Sequence, residues 1–109
     1  MATQAIGSVT VAPNVLVNLV VLGLREVPGI ARPGHVPRVH AAHRGEGVAL
    51  QIDGGEVSVD CYLIARPDTN LLELGIAAQA TVAAVVRELA GMIVREVNVY
   101  IQDVEATSG

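Results

Sequence analysis

The sequence predicts an α+β fold, a two-layer sandwich in which two helices lie on one face of a mostly antiparallel sheet. Some segments alternate apolar and polar residues, which is typical of strands with one buried face. Two longer segments repeat apolar residues at helical spacing. In the order β-α-β-β-α-β, the predicted elements are Gly7–Val11, Asn14–Val27, Val48–Ile52, Val57–Ala65, Leu71–Leu89 and Val97–Gln102.

The length of 109 residues is typical of one domain that keeps a core without metal or disulfides. We therefore expect a single domain over residues 1–109, with an ordered core of about residues 6–105.

The first helix is predicted to begin near Pro13, since proline suits a first helical position, and to end before Pro28. Ala12, just before it, offers no capping side chain. Its predicted sheet-facing stripe consists of Leu16, Leu19, Val20, Gly23 and Val27.

Three further apolar residues of this helix, Val17, Val21 and Leu24, fall on one flank of the stripe. They predict an interface with a second copy of the chain or with a partner protein. The alternative is a helix enclosed between the sheet and the long loop that follows.

The segment Asp53-Gly54-Gly55-Glu56 predicts a tight hairpin turn between two alternating strands. Asn70, with Glu73 three residues later, predicts a capped start for the second helix, and Gly91 a left-handed stop. The sheet face without helices is expected to carry Ser58, Asp60, Tyr62, Asn98, Tyr100 and Gln102.

The composition excludes several classes of function. Seven arginines and no lysine stand against eleven acidic residues, a net charge of −4, so no basic face is expected to follow a phosphate backbone. Cys61 is the single cysteine, which favours a reducing compartment and a buried structural thiol. The apolar run Val15–Leu24 is too short to span a bilayer.

The segment Pro28–Glu46 is long for a structureless connection, so we expect part of it to be ordered, with an edge strand at Val36–Ala42. It holds His35, His40 and His43, which could converge on zinc. Their spacing is not that of a metal motif, and a solvated loop is the preferred interpretation.

No catalytic set emerges from the sequence. The neighbouring acid–base pairs, such as Arg87-Glu88, fall at expected surface positions, and both glycine steps lead into strands instead of a helix start, unlike a phosphate-binding loop. No metal, cofactor or catalytic residue is therefore predicted, and a non-enzymatic protein is expected.

Three segments of the chain resemble the bacterial alkaline shock protein family. They are GSVTVAPNVLVNLVVLGLREVPGI from Gly7, which includes the exit Val27–Ile30, then GGEVSVDCYLIA from Gly54, and the closing string GMIVREVNVYIQDV from Gly91. The resemblance implies a cytoplasmic protein of the envelope stress response that self-associates. It also implies recruitment to the inner face of the cell membrane by a separate membrane-anchored protein.

A competing hypothesis is a ligand- or metal-binding ferredoxin-like dimer. Its site would lie between the uncovered sheet face, with Tyr62 and Tyr100, and the histidine loop.

Overall fold

The computed structural model describes residues 6–38 and 43–106, and it confirms the α+β sandwich. In chain order its elements are α1 (Pro13–Arg25), β1 (Ile30–Pro33), β2 (His43–Gly45), β3 (Val48–Asp53), β4 (Glu56–Ala65), α2 (Leu71–Ala84) with a π-helical extension (Val85–Leu89), and β5 (Ile93–Val104).

Strand β4 lies at the centre of the sheet. On one side β5 runs parallel to it, and on the other side both β1 and β3 pair with it in antiparallel fashion. Strand β2 extends the sheet beyond β3. The sheet is thus mostly antiparallel, and apolar residues from α1 and α2 share one core with the inward side chains of β4.

Strands β1 and β3 occupy successive stretches of the same edge of β4. They meet at Tyr62, whose carbonyl accepts from the Gly34 N–H at 2.7 Å and whose N–H donates to the Gly47 carbonyl at 2.7 Å. In a regular antiparallel pair, a single residue of the neighbouring strand would both donate to the Tyr62 carbonyl and accept from the Tyr62 N–H. The chain therefore leaves this edge at Gly34, forms β2, and returns at Gly47.

Two strand predictions need correction. Gly7–Val11 forms no strand, because its backbone pairs with no strand of the described subunit and its residues up to Thr10 are exposed. The predicted edge strand Val36–Ala42 is absent at Val36–Arg38, while residues 39–42 lie outside the described part. The order within the chain is therefore α-β-β-β-β-α-β, because β1 and β2 form where a loop was expected.

Helix α1 begins at Pro13 without a side-chain cap, as predicted, but its buried face is rotated from the predicted stripe. Val17 and Leu24, assigned from sequence to an outer flank, are buried inside the subunit, and Val21 is half-buried. The reason is β2: a Cβ on its Gly45 would run into the Val17 side chain. Strand β2 thus covers a side of α1 for which the sequence predicted no neighbouring element.

Helix α2 begins as predicted. The Asn70 Oδ1 accepts from the Glu73 N–H at 3.0 Å, which satisfies one of the free amides of the first turn. The helix widens into the π-helical turn before Gly91, which takes the predicted left-handed conformation with φ of 65°.

Strand β5 carries two bulges, at which Arg95 and Gln102 have no opposite residue on β4. Between them Val97, Val99 and Ile101 pack toward the core, as predicted. A bulge inserts one residue and so shifts the alternation. For this reason Val94 also packs inward, although an unbroken alternation would turn it outward.

The hairpin of β3 and β4 forms in the expected register, with Asp53 opposite Glu56. The inward residues of β4, Cys61 among them, are fully or almost fully buried. Burial raises the pKa of the Cys61 thiol from 9.0 to about 12, and the Asp60 carboxylate adds to the shift.

We predict that Gly47→Ala destabilises the protein by about 2–4 kcal/mol, because a Cβ there would lie 2.7 Å from the Tyr62 carbonyl oxygen at a φ of 68°. Gly54→Ala is the matched control, since its φ is 64° but its Cβ would meet nothing within 4 Å. It should cost only the backbone term of about 1 kcal/mol. Urea denaturation measures both, and equal losses would contradict the tight junction at Tyr62.

We also predict an alkaline sensitivity that comes from Cys61. The folded protein holds the thiol proton up to a pH of about 12, whereas the unfolded chain releases it near 9.0. The contribution of the protonated thiol to the free energy of unfolding is therefore complete below pH 9. It is lost as the pH rises further, by up to about 1.4 kcal/mol per pH unit. Urea denaturation from pH 8 to 11 should show a shallower fall for Cys61→Val than for wild type, and parallel curves would refute this.

Candidate functional site

The sheet face opposite the helices carries the two tyrosines of the chain. The rings of Tyr62 on β4 and Tyr100 on β5 stack with centroids 5.0 Å apart and planes 13° from parallel. Partial burial raises the pKa of Tyr62, and the Asp60 carboxylate adds to the rise while Arg44 opposes it. Each ring thus covers part of the other on this face.

Polar groups of this face bond one another. The Asn98 Nδ2 donates to the Asp60 Oδ1 at 3.0 Å, and a shallow cleft of about 260 Å³ beside them is lined by Gln51, Ser58 and Glu96. The sequence correctly placed Ser58, Asp60 and Asn98 on this face. The bond between Asn98 and Asp60 links β5 to β4.

The segment after β1 crosses one end of this face. The backbone N–H of His35 donates to the Gln102 Oε1 at 2.7 Å, and the Gln102 Nε2 donates to the His35 carbonyl at 2.8 Å. Arg44 of β2 donates to the carbonyls of Val36 and Pro37. Gln102, one of the two bulge residues of β5, therefore pairs through its side chain with the backbone of His35 as a neighbouring strand would. The sequence did not predict this role, because a glutamine in a strand has no local signature for it.

The histidines do not form a metal site in the part of the chain that the structure describes. Within residues 6–38 and 43–106 no three His, Cys, Asp or Glu side chains are grouped to hold a metal ion. His35 is exposed and His43 half-buried on β2, while His40 lies outside the described residues.

A pocket of about 300 Å³ lies between α1 and β1. Its apolar wall includes Val21 and Leu24, and three arginines stand around it. Arg25 pairs with Glu46 at 3.4 Å, and Arg32 pairs with Glu105 at 2.9 Å, both pairs being exposed. Val21 is thus the one residue of the predicted flank that is not fully buried.

The most exposed large apolar side chains of the helices and strands lie elsewhere, on α2 and β5. Leu72 and Ile76 on the outer side of α2 are 75% and 56% exposed, and Ile93 on β5 is 64% exposed. A groove of about 240 Å³ between the two elements is lined by Leu71, Leu72, Gly75, Ile76, Gln79, Val99 and Ile101. We call this groove, together with the unpaired edge of β5, the α2–β5 surface.

The composition of α2 also indicates this surface, although no site was predicted there from the sequence. The outer side of α2 is rich in alanine and thinly charged, with Ala77 and Ala80 exposed. Such a side is typical of a helix that contacts another protein surface, since a solvated face normally carries charge. None of the helices in the described residues is both long and apolar enough to cross a membrane.

The chain resembles solved structures of MamM CTD variants. A zinc form has a TM-score of 0.60 at 17% identity, covering 84% of this chain and 85% of that one. A second variant has a TM-score of 0.59 at 18% identity, with 83% and 93% covered, and a manganese form 0.55 at 18%, with 84% and 95% covered. At this identity the likeness shows a shared fold and nothing more.

A comparison with curated proteins finds no match. The sequence profile of the alkaline shock protein 23 family, described as having a cell envelope-related function, matches residues 1–106. This match confirms the resemblance to the alkaline shock proteins over nearly the whole length. The chain belongs to this alkaline shock protein family, and its function is related to the cell envelope.

Proposed function

We propose that this protein is a non-enzymatic, cytoplasmic component of the envelope stress response. It acts by self-association and by docking to a membrane-anchored partner at the inner face of the cell membrane. The observation that carries this proposal is the α2–β5 surface, where large apolar side chains are exposed in the subunit. Exposed apolar surface of this kind is typical of protein contacts.

The chemistry of the reactive groups supports a role without catalysis. The Cys61 thiol is fully buried, and its pKa of about 12 keeps it protonated and unreactive at physiological pH. Tyr62 stacks on Tyr100, and Asp60 is bonded by Asn98. These groups stabilise the sheet and are not arranged around a common reaction centre.

Membership of the alkaline shock protein family supports the envelope role, since that family is described by a cell envelope-related function. The docking mode follows from the subunit itself. Its formal charge of −4 disfavours direct attraction to anionic lipid headgroups, so a protein partner is the more favourable means of recruitment.

We predict that Leu72→Glu combined with Ile76→Glu abolishes function without unfolding the protein, because both side chains are exposed on α2. The measurement is growth of a host deletion strain under alkaline shock, complemented with each variant. Leu22→Glu is the matched control, since Leu22 is 53% exposed on α1, away from the α2–β5 surface, and should complement fully.

Two results would contradict the proposal. One is full complementation by the α2 variant at wild-type protein levels. The other is a deletion strain that tolerates envelope stress as well as its parent does. Thermal melting of the purified variants by circular dichroism excludes simple unfolding as the cause of a loss.

The metal-binding hypothesis, with His35, His40 and His43, predicts that a metal ion raises the melting temperature of the protein. A metal that binds only the folded state would add about 2.7 kcal/mol to the free energy of unfolding at 100 times its Kd and would raise the melting temperature. We expect instead that Zn²⁺ or Mn²⁺ leaves the melting temperature unchanged. A concentration-dependent rise that disappears in the triple alanine variant would favour the metal site. Elemental analysis of untagged protein is the independent check.

A further inference from the structure

The pocket between α1 and β1 concentrates positive charge on a chain that is negative overall. Three of the seven arginines, Arg25, Arg32 and Arg66, line it, whereas Glu46 is the one acidic residue that lines it among the described residues. The lining therefore carries a formal charge of +2, while the whole chain carries −4. A cleft lined by one sign of charge attracts ligands of the opposite sign, so the pocket favours an anion.

Three separate elements hold these arginines at the pocket. Arg25 is the last residue of α1, Arg32 lies on β1, and Arg66 follows directly after β4. The backbone N–H of Arg66 donates to the Gly29 carbonyl at 2.8 Å, which ties the end of β4 to the turn before β1. The backbone positions of the three residues are therefore set by the fold, and their long side chains can adjust to a ligand.

Two of the three guanidinium groups already bind carboxylates. Arg25 lies 3.4 Å from Glu46, and its side chain is 60% exposed. Arg32 lies 2.9 Å from Glu105, and its side chain is 58% exposed. Exposed ion pairs are weak, so the carboxylate of a ligand can replace either partner.

The third guanidinium group is open to a ligand. Arg66 is exposed, and its side chain forms no ion pair within the described residues. The planar fork of an arginine binds both oxygens of a carboxylate through two parallel hydrogen bonds. An incoming carboxylate can therefore bind Arg66 without displacing a partner.

Much of the remaining pocket wall is apolar. Leu24 and Leu63 belong to the core and are 6% and 1% exposed, while Val21 and Ile30 are half-buried. A hydrocarbon chain placed against these residues would remove apolar surface from water, which is favourable in proportion to the area covered. The pocket thus fits a ligand that has an apolar tail in addition to an anionic head.

The size of the pocket limits the length of this tail. Its volume of about 300 Å³ is at the lower end of the range for ligand pockets. At roughly 30 Å³ for each non-hydrogen atom, the share of one water molecule in the liquid, it holds about ten such atoms. A fatty acid anion of about eight carbons has this size.

We propose that the pocket between α1 and β1 binds a small amphipathic carboxylate, such as a medium-chain fatty acid anion. The carboxylate lies at Arg66, and the hydrocarbon chain lies against Val21 and Ile30. The ligand is the free anion and not a lipid surface, because the net charge of −4 disfavours approach to anionic headgroups. This site lies apart from the α2–β5 surface and goes beyond the proposed function.

The first experiment compares three probes by isothermal titration calorimetry at low salt. Octanoate has both head and tail, acetate has only the head, and octanol has only the tail. We expect octanoate to bind saturably with a Kd of about 1 mM or tighter, and the other two to bind at least about tenfold more weakly. Octanol that binds as tightly as octanoate would overturn the role of the arginines, and a lack of saturable octanoate binding would overturn the site.

The second experiment repeats the octanoate titration with variants. Arg66→Gln should weaken binding by about tenfold, because it loses a charge-assisted hydrogen bond. Arg66→Lys keeps the charge without the planar fork and should lose less. Arg87→Gln is the matched control, since Arg87 is exposed on the extension of α2 and outside the pocket. A Kd that is equal in wild type and Arg66→Gln would contradict the proposed head position.

Backbone amide NMR locates the bound octanoate. The signals of Ile30, Ala31 and Leu63, which line the pocket, should shift during the titration. The signals of Leu72 and Ile76 should not, because these residues lie outside it. Shifts confined to the α2–β5 surface would place the ligand there and overturn the proposal.

Vesicles that contain oleate distinguish a free carboxylate from one held in a membrane. The protein should not float with such vesicles, whereas flotation that Arg66→Gln abolishes, without octanoate binding in solution, would overturn the free anion as the ligand. The variant with Leu72→Glu and Ile76→Glu should bind octanoate as tightly as wild type, and a weaker Kd would contradict a separate site. Its ability to complement the deletion strain tests the proposed function alone, so the two failures are distinguishable.

Discussion

Strand β4 supports both layers of this subunit, because its strict alternation decides which residues enter the core and which reach the open face. Val57, Val59 and Cys61 point toward the helices and are fully buried. Tyr62, the next residue in alternation, points the other way and carries the junction of β1, β3 and the connecting segment on its backbone. All other pairings of the sheet depend directly or indirectly on this strand.

The central strand also determines where the subunit remains open. One side of β4 is used twice, by β1 and β3, and β2 extends the sheet further there and covers α1. On the other side the sheet ends with β5 after a single parallel pairing. The covered side explains why Val17 and Leu24 are buried, and the short side explains why apolar residues of α2 and β5 are exposed.

The likeness to MamM CTD structures shows that one α+β sandwich accommodates sequences below 20% identity. The fold therefore carries little functional information, and function has to be argued from surfaces. In this member of the alkaline shock protein family, the protein contacts that we propose are argued from the exposed apolar side chains of α2 and β5.

The sequence by itself determined the local features: the start of α1 at Pro13, the Asn70 cap, the Gly54 turn, the Gly91 stop and the inward faces of β4 and β5. Each of these depends on residues within a few positions of one another, so the propensity of the chain suffices to specify them. Tertiary structure decided the rest. Gly7–Val11 alternates like a strand but pairs with no strand in residues 6–38 and 43–106, and β1 and β2 formed within a predicted loop, because strand pairing depends on partners distant in sequence. The candidate surface follows the same rule, since exposure of Leu72 and burial of Val17 are decided by which elements pack against each helix.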